Sequence, residues 1–421
     1  MSGSISAGWV LPVDGPPIAD GFVTWKDGVI EEVGAGRAER HYDGAIIVPG
    51  IVNAHSHLEY SVYAGFGDGQ SFGGWLSDHI ARKRLLGPDD VLAIARRGAA
   101  DSLAAGITTT ADYSFAGAAA IAAAELGLRA IVYLEVFGSD IGEAERRFTA
   151  LKSGAPPADL VRIGISPHAP YTCSVELYEW CLSLGIPVGT HLAESDGENE
   201  WLEHGTGPLA AARGVLVEPT GKRAVGTLAG VLCAELLSAH CVRVDEDEIA
   251  LLARHDVPVV HCPRSNALLG CGTAPLTALR NAGVRVGLGT DSPASTPSFD
   301  PWDELRAAVS SARALERRPG ALEAPDALRL ATLDAARALG LESEIGSITP
   351  GKRADITVVS TAGSPYDPVE DPTVAAVFGG RPAGVLETIV DGHTRYRQGE
   401  TGTAWQEVRS IASAARRRML A

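Results

Sequence analysis

Two histidines one residue apart, His55 and His57, follow the apolar, β-branched run Ala45 to Val52. In an extended segment residues i and i+2 point to one face, so both imidazoles look the same way and form half of a metal site. Further along, His191 and Asp291 also sit just past apolar strand-like runs. The set His55, His57, His191 and Asp291 offers three imidazoles and one carboxylate. It suits one divalent ion, Zn(2+) or Fe(2+), and leaves room for a water. Binding of that kind lowers the pKa of the water from about 15.7 toward about 7, so a hydroxide nucleophile becomes available at neutral pH.

Two further groups can move protons beside such an ion. Glu194 lies three residues past His191, where it reaches a substrate without binding the metal, and can carry a proton from the water to a ring nitrogen. His240, in Ser238-Ala-His-Cys241, can hold the hydroxide or assist the leaving group. Each also has a plainer reading: a helix cap for Asp291, a loop ion pair for Glu194, a core histidine for His240. His168 is a candidate for orienting substrate, and His261 turns inward or serves structure. Glu59, Trp75, Ser265 and Asn266 are candidates for holding base or sugar, with Trp75 able to stack on an aromatic ring.

These residues need strands to present them. Eight apolar runs alternate with Ala- and Leu-rich helical stretches: 45–52, 107–113, 129–137, 161–166, 186–190, 236–239, 257–260 and 284–289. Helices are expected at 89–105, 174–184, 245–254 and 275–282, several opening on Asp, Ser or Pro. The alternation predicts an α/β chain built as a (β/α)8 TIM-like barrel, whose catalytic groups come from the C-terminal strand ends. His55, His57, His168, His191, His240, His261 and Asp291 all fall at or just past such ends. The flanks read differently. An Asp27-Gly28 hairpin near the start and strand-like pieces around 346–359 and 385–392 predict a small β-sandwich formed from both chain ends. The expected boundaries are residues 1–48 and 343–400 for the sandwich, 49–342 for the barrel, and 401–421 for a terminal helix. The glycines at 65, 67 and 69 permit a mobile lid over residues 65–75.

Composition bounds the partners. A chain of 421 residues can bury a large core without disulfides, and its six cysteines contain no C-x-x-C pair, which predicts reduced thiols and a cytoplasmic location. No secretory leader and no apolar run of membrane-spanning length is expected. A net charge of -16 without a basic block excludes nucleic acid and favours a small-molecule substrate.

The motifs Pro49-Gly-x-Val-Asn-Ala-His-x-His, Thr190-His-Leu-Ala-Glu194, Ser238-Ala-His240, Gly289-Thr-Asp-Ser292 and Pro350-Gly-Lys-x-Ala-Asp355 together resemble the amidohydrolase superfamily, in its metal-dependent aminohydrolase and chlorohydrolase branch. The resemblance implies a distorted barrel with a flanking β-sandwich, deamination of heterocycles bearing an exocyclic amine, metal ligands at His55, His57, His191 and Asp291, and proton transfer by Glu194 and His240. Two-metal members carry a modified lysine at the end of the fourth strand. Here that place reads Ser166-Pro167-His168, with no lysine from Asp89 to Leu151, so a single metal is expected. A narrower likeness joins His57-Leu-Glu59-Tyr-Ser61, Phe72-Gly-Gly-Trp75, His191-Leu-Ala-Glu-Ser195 with Glu200-Trp-Leu202, and His261-Cys-Pro-Arg-Ser-Asn266 to the aminodeoxyfutalosine deaminases of menaquinone biosynthesis. That likeness implies a substrate with a benzoate, for which Arg82 or Arg264 would be the bidentate partner. Adenosine or S-adenosylhomocysteine, guanine, a triazine, or a cyclic amide opened by hydrolysis are the competing substrates, and a metal-free scaffold is the competing class. A homodimer is expected by analogy alone.

Overall fold

The chain changes sheets at Gly50. The structure, a computed structural model, describes residues 2–400 and 403–420; Met1, Thr401, Gly402 and Ala421, at the limits of the expected terminal segments, lie outside the described residues. The run expected as the first barrel strand is divided there. Strand β4 (Arg40–Pro49) belongs to one sheet and β5 (Ile51–Ser56) to another. A side chain at position 50 would collide with Thr108, because a Cβ would stand 2.1 Å from its Oγ1. The Gly50 amide meanwhile donates to Asp355 O at 2.8 Å, holding the crossing point against the other end of the chain.

Strand β5 opens the barrel. It is followed by β6 (Ile107–Ser114), β7 (Arg129–Val136), β8 (Val161–Pro167), β9 (Val188–Leu192), β10 (Leu236–His240), β11 (Val259–His261) and β12 (Val286–Leu288), eight parallel strands in sequence order. Covered on both faces, they are nearly all buried and so read as continuous apolar runs. The seam between β12 and β5 is drawn together by side chains. Asn53 Oδ1 accepts the Thr290 amide at 2.9 Å, its Nδ2 donates to Thr290 Oγ1 at 2.8 Å, and Asp291 N donates to His55 O at 3.0 Å. Tyr113 and Tyr133 fill the barrel axis beneath the histidines, and Gly189 is required on β9 because a Cβ there would meet Tyr113 Oη at 2.4 Å.

The two chain ends form one continuous seven-stranded mixed sheet. It comprises β1 (Ser2–Val10), β2 (Ile18–Lys26), β3 (Val29–Ala35) and β4 from the start, then β13 (Ile356–Ser360), β14 (Val385–Val390) and β15 (His393–Arg397) from the end, with β13 antiparallel to β4. The Asp27-Gly28 turn joins β2 to β3 with both residues at positive φ, and Asp391-Gly392 does the same between β14 and β15. A last helix, Thr403–Leu420, packs on the helix Pro88–Ala104. Among the described residues no helix is long and apolar enough to cross a membrane.

Candidate active site

Every side chain that the sequence singles out as a metal ligand arrives at one place. The pleat of β5 turns His55 and His57 to the barrel mouth, β9 delivers His191, and the turn after β12 delivers Asp291. His57 Nε2 and His191 Nε2 are 3.3 Å apart, and Asp291 Oδ1 is 3.6 Å from His55 Nε2 and 3.5 Å from His57 Nε2. The outer nitrogens are already occupied: His57 Nδ1 donates to Tyr113 O and His191 Nδ1 to His168 O, each at 2.8 Å. That leaves both Nε2 lone pairs aimed inward. His55 is fully buried with neither ring nitrogen hydrogen-bonded. An unpartnered buried imidazole facing two other imidazoles and a carboxylate is what a cation would complete. Burial and the neighbouring rings hold His55 and His191 well below the ordinary histidine range, the direction that suits imidazoles able to ligate a cation. These residues fit one divalent ion.

Asp291 is steered by hydroxyls. Its Oδ2 accepts from Ser265 Oγ at 2.6 Å and Ser295 Oγ at 2.7 Å, which leaves Oδ1 to the cluster. His240 stands beside it with Nδ1 bonded to Asn266 Oδ1 at 3.0 Å and Nε2 3.8 Å from Glu194 Oε1. Burial, then the Asp291 charge, raises the Glu194 carboxyl well above its usual range, while burial lowers His240. The two shifts run in the directions that favour a proton on the acid and none on the imidazole. Glu198 shapes this corner from behind, accepting the amides of Ala193 at 3.2 Å and Glu194 at 2.7 Å. Strained backbone clusters here as well: Ala193, His240 and Asp291 have φ of 50, 76 and 56 degrees, values that packing has to enforce.

The cluster floors a cavity of about 570 Å³. Its walls are largely aromatic and aliphatic: Phe72, Trp75, Leu76 and Ile80 from the helix Phe72–Lys83, Phe115 and Phe137 from the ends of β6 and β7, and Val215 and Leu216. Trp75 reaches it as expected and is pinned by a 2.9 Å bond from Nε1 to Ala294 O. His168 also lines the wall, its Nδ1 2.9 Å from Thr172 Oγ1.

Five other expected substrate contacts stand elsewhere. Glu59 does not line the cavity; its carboxylate takes Ser114 Oγ and the amides of Ala116 and Ala118, anchoring the start of the helix Ala118–Leu126. Ser265 and Asn266 are fully buried behind Asp291 and His240 and orient those side chains instead. Arg82 points away to Asp78 Oδ2 and Met419 O, over the Phe66 ring. Arg264 is committed to the buried Glu304 carboxylate and to Ser298 O. Neither guanidinium is free for a carboxylate. The cations that do line the cavity are Lys83 and Arg84. Lys83 Nζ lies 3.7 Å from the Phe115 ring centre and makes no hydrogen bond or ion pair among the described residues.

Sequence reasoning passes over His79, Lys83 and Glu135. Two signals were available. His79 and Lys83 follow Trp75 at i+4 and i+8, one face of a helix, and Glu135 sits at the end of an expected strand, where the other chemical residues were found.

Comparison with known proteins agrees with this geometry. The model of the Amidohydrolase family matches residues 46–395. The chain is 33% identical over 418 residues to a 5-methylthioadenosine/S-adenosylhomocysteine deaminase of Symbiobacterium thermophilum, covering 93% of each protein. It is also 33% identical over 417 residues to a 5'-deoxyadenosine deaminase of Methanothermobacter thermautotrophicus, covering 92% of this chain and 93% of the other. A zinc-bound adenosine deaminase of Xanthomonas campestris superposes with a TM-score of 0.86 at 29% identity, over 99% of this chain and 98% of that one. The zinc-complexed atrazine chlorohydrolase TrzN of Arthrobacter aurescens shares the fold, with a TM-score of 0.84 at 21% identity over 98% and 99% of the two chains.

Proposed function

The chain belongs to the amidohydrolase family, and from that premise we propose that it is a hydrolytic deaminase of 6-aminopurine nucleosides with one bound divalent ion, zinc. The observation that carries this reading is the convergence of three inward-facing imidazoles and the Asp291 carboxylate on one point of an apolar cavity, with an acid and a base alongside.

His55, His57 and His191 would hold the ion through Nε2 and Asp291 through Oδ1. When bound, the metal supplies the Lewis acidity that makes water a nucleophile at neutral pH. Neutral His240, with Asp291, takes the proton of the attacking water. Protonated Glu194 gives its proton to the ring nitrogen next to the reacting carbon. Oxygen bonds to that carbon, the proton held by Asp291 and His240 passes to the exocyclic nitrogen, the bond to that nitrogen breaks, and ammonia leaves as the remaining hydroxyl proton returns to Glu194 and the ring regains aromaticity. Asn266 keeps the His240 ring turned toward Glu194, and the apolar walls exclude competing water.

The finer reading is 6-amino-6-deoxyfutalosine, converted to futalosine. Its benzoate needs a cation in an aromatic setting, and Lys83, stacked on Phe115 and without an ion-pair partner, supplies one at the cavity wall. S-adenosylhomocysteine is the second reading, favoured by the activity named for the relatives; it too bears a carboxylate. Ammonia release by the zinc-loaded protein from aminodeoxyfutalosine, S-adenosylhomocysteine, 5'-methylthioadenosine, adenosine and guanine separates them. The highest kcat/KM on aminodeoxyfutalosine is expected. Preference for S-adenosylhomocysteine would replace the finer reading, and silence on every nucleoside would remove the coarser one. A cytoplasmic location and a homodimer belong to the same reading, and fractionation and sedimentation test them.

A further inference from the structure

Among the described residues seven glutamates are buried: Glu59, Glu135, Glu194, Glu198, Glu248, Glu304 and Glu387. Five are satisfied within the protein. Glu59 and Glu198 take backbone amides, and Glu248, Glu304 and Glu387 take arginines. Of these seven, Glu135 and Glu194 alone accept no side-chain hydrogen bond from the described residues, and both line the same cavity. For Glu194 the proton transfer proposed above explains the vacancy. Glu135 has no such explanation.

It sits near the end of β7, with a carboxylate oxygen within 4.8 Å of ring nitrogens of His57 and His191. Glu194 instead groups with His240 and Asp291. The two acids thus stand on different sides of the metal cluster. A second ion between Glu135 and the two histidines is excluded by valence. Each ring has one inward lone pair, already directed at the shared centre, and each Nδ1–H is spent on a carbonyl. Lys83 and Arg147 are the cationic neighbours of Glu135, yet neither reaches its carboxylate with a hydrogen bond or ion pair, so a buried carboxylate with open acceptor sites facing a cavity fits a ligand's N–H or O–H donors.

We infer that Glu135 is a substrate-positioning residue whose carboxylate accepts hydrogen bonds from donor groups of the nucleoside, either the exocyclic amine or the sugar hydroxyls. This rests on the nucleoside deaminase reading. It gives the cavity an acceptor that groups with His57 and His191, apart from the acid that protonates the ring, which groups with His240 and Asp291.

The test is Glu135→Gln in the full-length, zinc-loaded protein, a change that keeps size and removes charge. Adenosine and 2',3'-dideoxyadenosine serve as substrates, and inosine, which lacks the amine, as a binding probe in calorimetry. Zinc content and melting temperature should match the parent, while kcat/KM for adenosine falls about ten- to hundredfold. A fall confined to adenosine, with weaker inosine binding, places the bond at the sugar. A fall on both substrates with inosine binding unchanged places it at the amine. Parent-like kcat/KM on both substrates overturns the assignment, as does loss of zinc in step with activity, which would make Glu135 a ligand. If the parent is silent on adenosine, the same comparison is made on whichever nucleoside of the panel it deaminates, and silence on the whole panel brings down the functional reading itself and not this assignment alone.

Discussion

Glu194, His240 and Asp291 are set by different surroundings, burial for the first, Asn266 for the second and two hydroxyls for the third, and that makes their proposed roles separable by substitution. Glu194→Gln removes the proton but not the shape, so the variant should retain zinc and melting temperature while turnover drops on the order of a thousandfold; ammonia release and metal analysis on one preparation check this. Ser265→Ala withdraws one of the two hydroxyls on Asp291 Oδ2. Zinc affinity should fall about tenfold, read by chelator competition, because partners that orient a ligand typically contribute that much. Glu198 offers a pH signature. Burial pushes its carboxyl from 4.5 up to about 8. A carboxyl raised in the folded state binds a proton that the unfolded chain has released, so its stabilising contribution is complete below about 4.5 and is lost as pH rises toward 8. The metal-free protein should lose melting temperature across that window, and Glu198→Gln should flatten the slope.

At the level of elements, the helix Phe72–Lys83 forms one wall of the cavity and is held from two sides. Trp75 ties it to Ala294, and the terminal helix Thr403–Leu420 braces the segment before it. Arg416 donates to Val62 O and Ala64 O, Arg82 bonds Met419 O, and Ala412, Ala415 and Met419 share an apolar cluster with Val62, Tyr63 and Phe66. The glycines at 65 and 67 take positive φ, and a Cβ on Gly67 would meet Trp75 Cδ1 at 2.8 Å, so the turn is shaped around the indole. Arg416→Ala should therefore loosen the wall without touching the metal cluster. KM should rise more than kcat falls, and trypsin should cut at Arg82 to Arg84 sooner than in the parent, with zinc content unchanged.

Across the whole molecule, the terminal sheet and the barrel are joined by a buried ion pair. Asp355 accepts two bonds from Arg129 on β7, at 2.9 and 3.0 Å, and the Asp391 amide at 2.8 Å, while its carbonyl takes the Gly50 amide. The Pro350-Gly-Lys-x-Ala-Asp355 motif is thus a structural joint, far in role from the chemistry it accompanies. Asp355→Ala leaves the Arg129 guanidinium with only its longer 3.5 Å contact to Asp391 and should destabilise the protein by about 3 kcal/mol, seen as a lower denaturation midpoint, with kcat of the folded fraction retained.

What could be read without coordinates was local. The H-x-H pair shares a face because a strand repeats every two residues, and His191, His240 and Asp291 stand out because barrel strands end in their chemistry. Strand and helix positions followed from the same periodicities, except where the run at 45–52 hid a sheet crossing that only the contact of Gly50 with Thr108 reveals. The competition for polar partners was decided by the tertiary structure. Whether Arg264 meets a substrate or Glu304 depends on a residue forty positions away, and whether Ser265 and Asn266 touch a nucleoside or the groups behind it depends on how β11 and β12 pack. Glu135 and Lys83 are the converse. Nothing in their own segments marks them as unpaired, because an empty hydrogen bond is a property of everything that surrounds a side chain, and the surroundings exist only once the barrel has closed.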